Sequence, residues 1–189
     1  MSADDAQLVA AAQAGDRVAL DSLLRRHYDR LHAVCRRVTS SDADASDATQ
    51  EAMIAIVRGL PAFDGRSSFS TWSYRIAVNA SLDELRRRRR RPMPTSDQRD
   101  HDQPLDIVDH RANERSDGLG DRLALDAALA TVPEEFRVPV VLRDVADLDY
   151  AEIAAILDIP IGTVKSRIAR GRGQLADILH DPGNHPDPT

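Results

Sequence analysis

Two stretches of the chain carry side chains suited to binding a polyanion. The first, IGTVKSRIARGRGQL at 161–175, holds the only lysine, Lys165, together with three arginines and no acid. On a helix, Lys165, Ser166, Ala169 and Arg170 fall within about one and a half turns and face away from Val164 and Ile168. Cations along such a face, here Lys165, Arg170 and Arg172, suit phosphates. Short side chains among them suit base edges: Ser166 as a hydrogen-bonding group, Ala169 against a thymine methyl. Arg167 has two readings, a DNA contact or an ion pair with an acid such as Asp144 or Glu152. The second stretch is the run of arginines at 86–91. It either grips DNA phosphates in a salt-dependent way or only solubilises a helix end.

Other chemistry finds little support. His27, His32 and Cys35 form the only local cluster of nucleophilic or metal-binding types. The two histidines are five apart, so they do not share a helix face, and no further ligands follow. That segment reads as a helix surface plus one core cysteine, with no metal and no catalytic site. Glycine loops of the kind that cradle phosphates are absent, no cofactor is expected, and the chain reads as a non-enzyme.

The elements that position these residues follow from hydropathy patterning. Few aromatics, 4%, among many aliphatic residues point to small helical cores. Helices are predicted over 4–15, 16–38, 47–60 and 70–91, from apolar residues at steps of three and four. In the second of these, positions 20, 23, 24, 28, 31, 34, 35 and 38 make the apolar stripe. The segment TSSDADASD before the third interrupts the pattern and offers N-caps, and FDGRSSF at 63–69 reads as a loop. From 92 to 120 the chain is rich in proline and acids, a linker signature. Helical patterning resumes over 121–132, 133–145, 149–157 and 163–179, with Pro133 suited to a first helical position.

The last two helices flank DIPIG, which reads as a tight turn at Gly162, with Thr163 able to cap the helix that follows. A short helix, a tight turn and a basic helix make a helix-turn-helix. Its small core would be Ile153, Ile156, Leu157, Ile159, Val164 and Ile168. The expected fold is therefore all-α: two small helical domains joined by a flexible acidic linker, the C-terminal one a helix-turn-helix. The expected divisions are 1–91, 92–120, 121–180 and a disordered tail at 181–189.

Charge and composition bound the setting. The formal net charge is −6. Much of the excess acid sits between 97 and 121, away from the two basic stretches, so the total does not argue against DNA binding. A lone cysteine gives no disulfide framework, and the N-terminus carries acids where a signal peptide needs cations. A soluble, cytoplasmic protein with no membrane insertion of its own is expected.

One longer pattern narrows the function. The chain supplies Asp47, Gln50 and Glu51 on one helix face, then Phe63, Gly65, Ser67 and Phe69 in a loop. Thr71, Trp72, Ile76, Ala77 and Asn79 follow, then the basic run. This series resembles the promoter-melting domain of bacterial sigma factors, in particular the compact extracytoplasmic-function (ECF) group. GTVKSR at 162–167 resembles that family's opening of the helix that reads the −35 element. The resemblance covers residues 4–90 and 121–179. It implies that Asp47, Gln50 and Glu51 dock on the clamp-helix coiled coil of core RNA polymerase. It also implies that the loop, with Phe63, Gly65, Ser67 and Ser68, receives a base flipped from the −10 element. Trp72, Arg75 and Asn79 would hold the melted strand, and Arg86 and Arg87 the neighbouring duplex. A blander role for Trp72 is packing against Ile76, and both roles are compatible. The loop carries Asp64 before the glycine and Arg66 after it, the reverse of many relatives, which leaves the −10 base preference open.

Thr163, Lys165, Ser166, Arg167, Ala169, Arg170 and Arg172 would read the −35 duplex. Implied partners are core RNA polymerase, promoter DNA and an anti-sigma factor. A different class, a stand-alone helix-turn-helix regulator, would need a receiver of alternating strands and helices, and residues 1–90 have no strand pattern. The linker could span about 95 Å extended and roughly 30 Å as a free coil, against roughly 50–70 Å between two promoter elements.

Overall fold

The computed structural model describes residues 3–90 and 116–180. The expected tail and most of the expected linker lie outside the described residues, as does Arg91. Every regular element among the described residues is helical. The first unit holds α1 (Ala3–Gln13), α2 (Arg17–Thr39), α3 (Asp42–Gly59), a 3-10 turn at Leu60–Ala62 and α4 (Phe69–Arg90). The second holds α5 (Ser116–Thr131), α6 (Glu134–Asp144), α7 (Tyr150–Leu157) and α8 (Ile161–His180).

Local chemistry sets the helix ends. The Asp16 side chain accepts from the backbone N–H groups of Val18 and Ala19 and starts α2, and Ser40 ends it in the left-handed conformation. The Ser41 hydroxyl accepts from Asp44 N–H and starts α3 at Asp42, five residues before the predicted position. The acidic serine-rich string that looked like an interruption is the cap and first turn of the helix, where carboxylates complement the dipole. Asp149 and Glu152 form a reciprocal capping box at the start of α7. Two expectations about the following turn are corrected. Asp158, at φ 54°, makes the left-handed turn after α7, not Gly162, which lies inside α8. Because α8 begins at Ile161, Thr163 sits in its first turn and is not its cap. Pro133 likewise caps α6 from outside.

Packing in the first unit is a three-helix core of α2, α3 and α4 with α1 laid across it. Leu23, Leu31, Val34, Cys35 and Val38 meet Ala45, Ala48, Ala52 and Ile56 of α3 and Phe69, Ala77 and Val78 of α4, all buried. Small residues along α3 let the helix axes approach. The stripe of α2 is turned slightly from the predicted one. His27 is buried at 5% exposure, while Tyr28 is 45% exposed. That corrects the reading of His27 as helix surface. In the second unit the expected small core forms around buried Ile153, Ile156, Val164 and Ile168, with Leu157 and Ile159 partly buried against it. Gly171 lets α8 cross α6 closely: a Cβ there would meet Val140 Cγ2 at 2.7 Å and the Phe136 carbonyl oxygen at 3.0 Å.

The two units touch. Buried Arg137 of α6 donates from Nη2 to the Val38 carbonyl at the end of α2, 2.9 Å away, and from Nη1 to the carbonyls of Ala130 and Val132. Burial holds its guanidinium below the ordinary arginine range. Arg36 and Arg37 of α2 pair with Asp126 of α5, and Arg89 pairs with Glu134 at 2.8 Å.

Candidate nucleic-acid interface

The segment between the 3-10 turn and α4 is shaped by short-range bonds. The Asp64 carboxylate accepts from Arg66 N–H at 3.1 Å, and Gly65 takes φ +72°, where a side chain would be strained. Ser68 caps α4: its hydroxyl accepts from Thr71 N–H at 3.0 Å and shares a 2.7 Å bond with the Thr71 hydroxyl. Phe69 is fully buried. Trp72 lies 4.9 Å from Phe63 and 5.7 Å from Phe69, ring centre to ring centre. It also covers Gly59, where a Cβ would come within 3.1 Å of its ring. Trp72 is thus half-buried in an aromatic cluster, with one part left to solvent.

Beyond the cluster an open face continues along α4. Gly65 and Ser67 of the loop are exposed, as are Arg75 and Asn79. Trp72, Arg75 and Asn79 follow at steps of three and four, so one stripe runs from the loop toward the arginine run. The arginines are less free than their number implies. Arg86 pairs with Asp83, Arg87 with buried Glu84, and Arg88 with Asp44.

On α8, Lys165, Ser166, Ala169 and Arg170 are exposed, while Val164 and Ile168 are buried. The structure therefore gathers the four onto one open face. Arg170 has no ion pair among the described residues, whereas Arg172 is held by both carboxylate oxygens of Asp144. Arg167 approaches Glu135 at 3.5 Å, so neither acid suggested by the sequence is its partner. Glu152 instead accepts from the Thr71 hydroxyl at 2.6 Å, which sets α7 against the start of α4. The sequence reading missed Tyr150. Its ring packs against both Lys165, at 5.6 Å, and Arg143, at 5.3 Å, a cation–π arrangement that links α7 to α6 and α8. A tyrosine opening a helix carries no signal of this by itself.

A third face belongs to α3. Asp47, Gln50 and Glu51 are all exposed, with Ile54 and Val57 exposed beside them. Leu60 is buried, and Met53 is partly buried against the core. The apolar part of this face is therefore Ile54 and Val57.

Comparison with known proteins decides what carries these faces. A family model for Sigma-70 region 2 matches residues 23–91, and one for Sigma-70 region 4 matches 122–175. The chain is 39% identical over 175 residues to the ECF RNA polymerase sigma factor SigM of Mycobacterium tuberculosis, covering 93% of this chain and 84% of that one. The chain belongs to the ECF RNA polymerase sigma factor family. It is an alternative sigma subunit for transcription initiation.

Solved structures agree on the fold. The sigma factor superposes on CnrH, seen in complex with the cytosolic domain of CnrY, with a TM-score of 0.69 at 23% identity, over 95% of this chain and 99% of that one. It superposes on the RpoE of Bartonella quintana, captured with the anti-sigma factor NepR, with a TM-score of 0.65 at 21% identity, over 86% and 97%. In this sigma factor the region 2 match begins at Leu23, so α1 precedes it. Among the described residues no group of three or more histidines, cysteines or acids could hold a metal ion, and no helix is long and apolar enough to cross a membrane.

Proposed function

We propose that this sigma factor reads a promoter with two separate surfaces and binds core polymerase with a third. Residues 1–91 would bind core through Asp47, Gln50 and Glu51, with Ile54 and Val57 as the apolar part of the contact. The loop with Phe63, Gly65, Ser67 and Ser68 would take a flipped −10 base against Trp72. Arg75 and Asn79 would follow the melted strand, and Arg86 and Arg87 the duplex beside it. A base pocket needs a backbone that can turn sharply, hydroxyl or amide partners and an aromatic wall, and this loop has all three. Residues 121–180 would set α8 in the −35 major groove with Lys165, Ser166, Ala169 and Arg170 foremost. Thr163, Arg167 and Arg172 would stand at its edges. Residues 92–120 would link the two, the last five of them already in the first part of α5.

The observation that carries this reading is the stripe of half-buried Trp72 with exposed Arg75 and Asn79, continuous with the loop. An aromatic, a cation and an amide on one open face suit an unstacked strand better than a helix–helix contact. With promoter elements roughly 50–70 Å apart, the Glu152–Thr71 contact between the units would open on the promoter. A non-enzymatic, cytoplasmic role and control by an anti-sigma partner complete the proposal.

The test is a double dissociation in reconstituted holoenzyme. Asn79→Ala should lower permanganate reactivity of melted thymines several-fold and leave −35 duplex binding near wild type. Arg170→Ala should weaken −35 duplex binding and reduce its salt slope by about one, with opening of bound promoter preserved. If both variants lose both signals in the same proportion, the division of labour is wrong.

A further inference from the structure

The helix that precedes the region 2 match is attached to both ends of the candidate −10 loop. At its last residue, Gln13 Nε2 donates to the Leu60 carbonyl at 2.9 Å and to the Phe63 carbonyl at 2.8 Å. These two bonds bracket the 3-10 turn that delivers the chain into the loop. The Leu60 carbonyl also accepts from Phe63 N–H at 3.1 Å, so one amide closes the turn from outside. Gln13 is itself held in place. The corner after it is fixed by Gly15 N–H to the Ala12 carbonyl and Asp16 N–H to the Ala11 carbonyl, each at 3.0 Å.

The other end of α1 reaches Phe69, the far anchor of the loop. Asp5 is buried and lies 3.2 Å from His27 Nε2, and the His27 ring meets Phe69 edge-on at 4.9 Å. Arg26 ties Asp4 and Asp5 to α2. Phe63 and Phe69 are therefore both referenced to α1, one through its backbone and one through its ring. A shift of the Phe63 carbonyl would move the start of the Asp64–Gly65 turn and the ring that packs on Trp72.

We infer that α1 is the frame of the −10 loop and that Gln13 is a positioning residue, setting the Phe63 backbone and with it the aromatic wall beside which the flipped base is bound. This rests on the proposed reading of the loop as the −10 base site. Gln13 is exposed, its bond to Phe63 is exposed and that to Leu60 part-buried, and single hydrogen bonds of this kind contribute modestly to stability. Loss of the amide should therefore alter the geometry of the loop while the fold stays intact.

The experiment uses holoenzyme reconstituted with core RNA polymerase. The probe is a fluorescent single strand carrying the −10 sequence of a promoter found by run-off transcription. The readout is the affinity ratio between that strand and the same strand made abasic at each position in turn, which cancels non-specific attraction. Gln13→Met keeps the length and removes both donors, and should lower the ratio at the flipped position roughly fivefold. Gln13→Lys restores a donor and should keep it within about twofold of wild type. Competition for core, −35 duplex affinity and melting temperature should stay at wild-type values in both. Ser67→Ala, in the loop and outside α1, is the control for the loop reading. A ratio lowered by Ser67→Ala but untouched by Gln13→Met overturns the role of Gln13 alone. A ratio untouched by either overturns the loop reading and the inference with it. A parallel fall in melting temperature and core binding in Gln13→Met makes Gln13 a structural residue and also overturns the inference.

Discussion

Arg170 and Arg172 look equivalent in the sequence, two cations on one basic helix, yet their surroundings differ. Arg172 is chelated by Asp144, while Arg170 is exposed without an ion pair among the described residues. Sequence spacing places both on α8 but does not give the acid that α6 brings from its last turn. His27 gives the same lesson more strongly. Its spacing from His32 sets the two on different faces, and the residue is a buried strut between Asp5 and Phe69. Burial is the main cause that holds the His27 imidazole below its ordinary range, against the opposing pull of Asp5, with Arg30 and Arg26 adding to the depression. The neutral ring then donates to Asp5. Its folded-state value lies below the unfolded one, so its contribution to stability is full above about pH 6.5 and is lost as the pH falls below that. Thermal melts between pH 7.5 and 5 should show this decline. His27→Gln, which keeps a donor toward Asp5, should have a lower melting temperature at neutral pH and a flatter dependence on pH. An equal slope in both proteins would remove His27 from the account.

Helices as units were readable because apolar residues recur at steps of three and four, and the all-α class and the helix-turn-helix followed from that. Their ends were less readable. The start of α3 was missed because a serine followed by alternating acids looks the same as a loop or as a cap with a first turn. The turn before α8 was assigned to its glycine, whereas Asp158 adopts the left-handed conformation there. Packing between helices was readable for the α7–α8 core but not for the crossing of α6 and α8. Gly171 and Gly173 share one basic segment, but only Gly171 faces another helix, and a Cβ there would collide with Val140 and the Phe136 carbonyl. Gly171→Ala should therefore destabilise the protein by about 1–3 kcal/mol. Gly173→Ala meets nothing within 4 Å and should be neutral or stabilising by up to about 1 kcal/mol. Chemical denaturation of the two variants checks the contrast. Similar losses in both would mean that α6 and α8 do not cross at Gly171.

At the scale of the whole molecule, the order of two motif-bearing segments was the most legible feature, and the family match follows that order. How the segments sit together was not legible. The seam depends on Arg137 reaching the Val38 carbonyl, on Asp126 between Arg36 and Arg37, and on Glu152 meeting Thr71. No local pattern connects residues so far apart in the chain. Arg89, near the end of the basic run, is paired with Glu134 of the other unit, so the seam holds a cation that the sequence alone leaves free. The measurement that tests the central claim most directly is run-off transcription by purified core RNA polymerase on a pool of genomic fragments, with and without this protein. Discrete transcripts that appear only with the protein, and whose upstream sequences share two elements at a fixed spacing, are the predicted result. A protein that fails to bind core and changes no transcript would contradict the account.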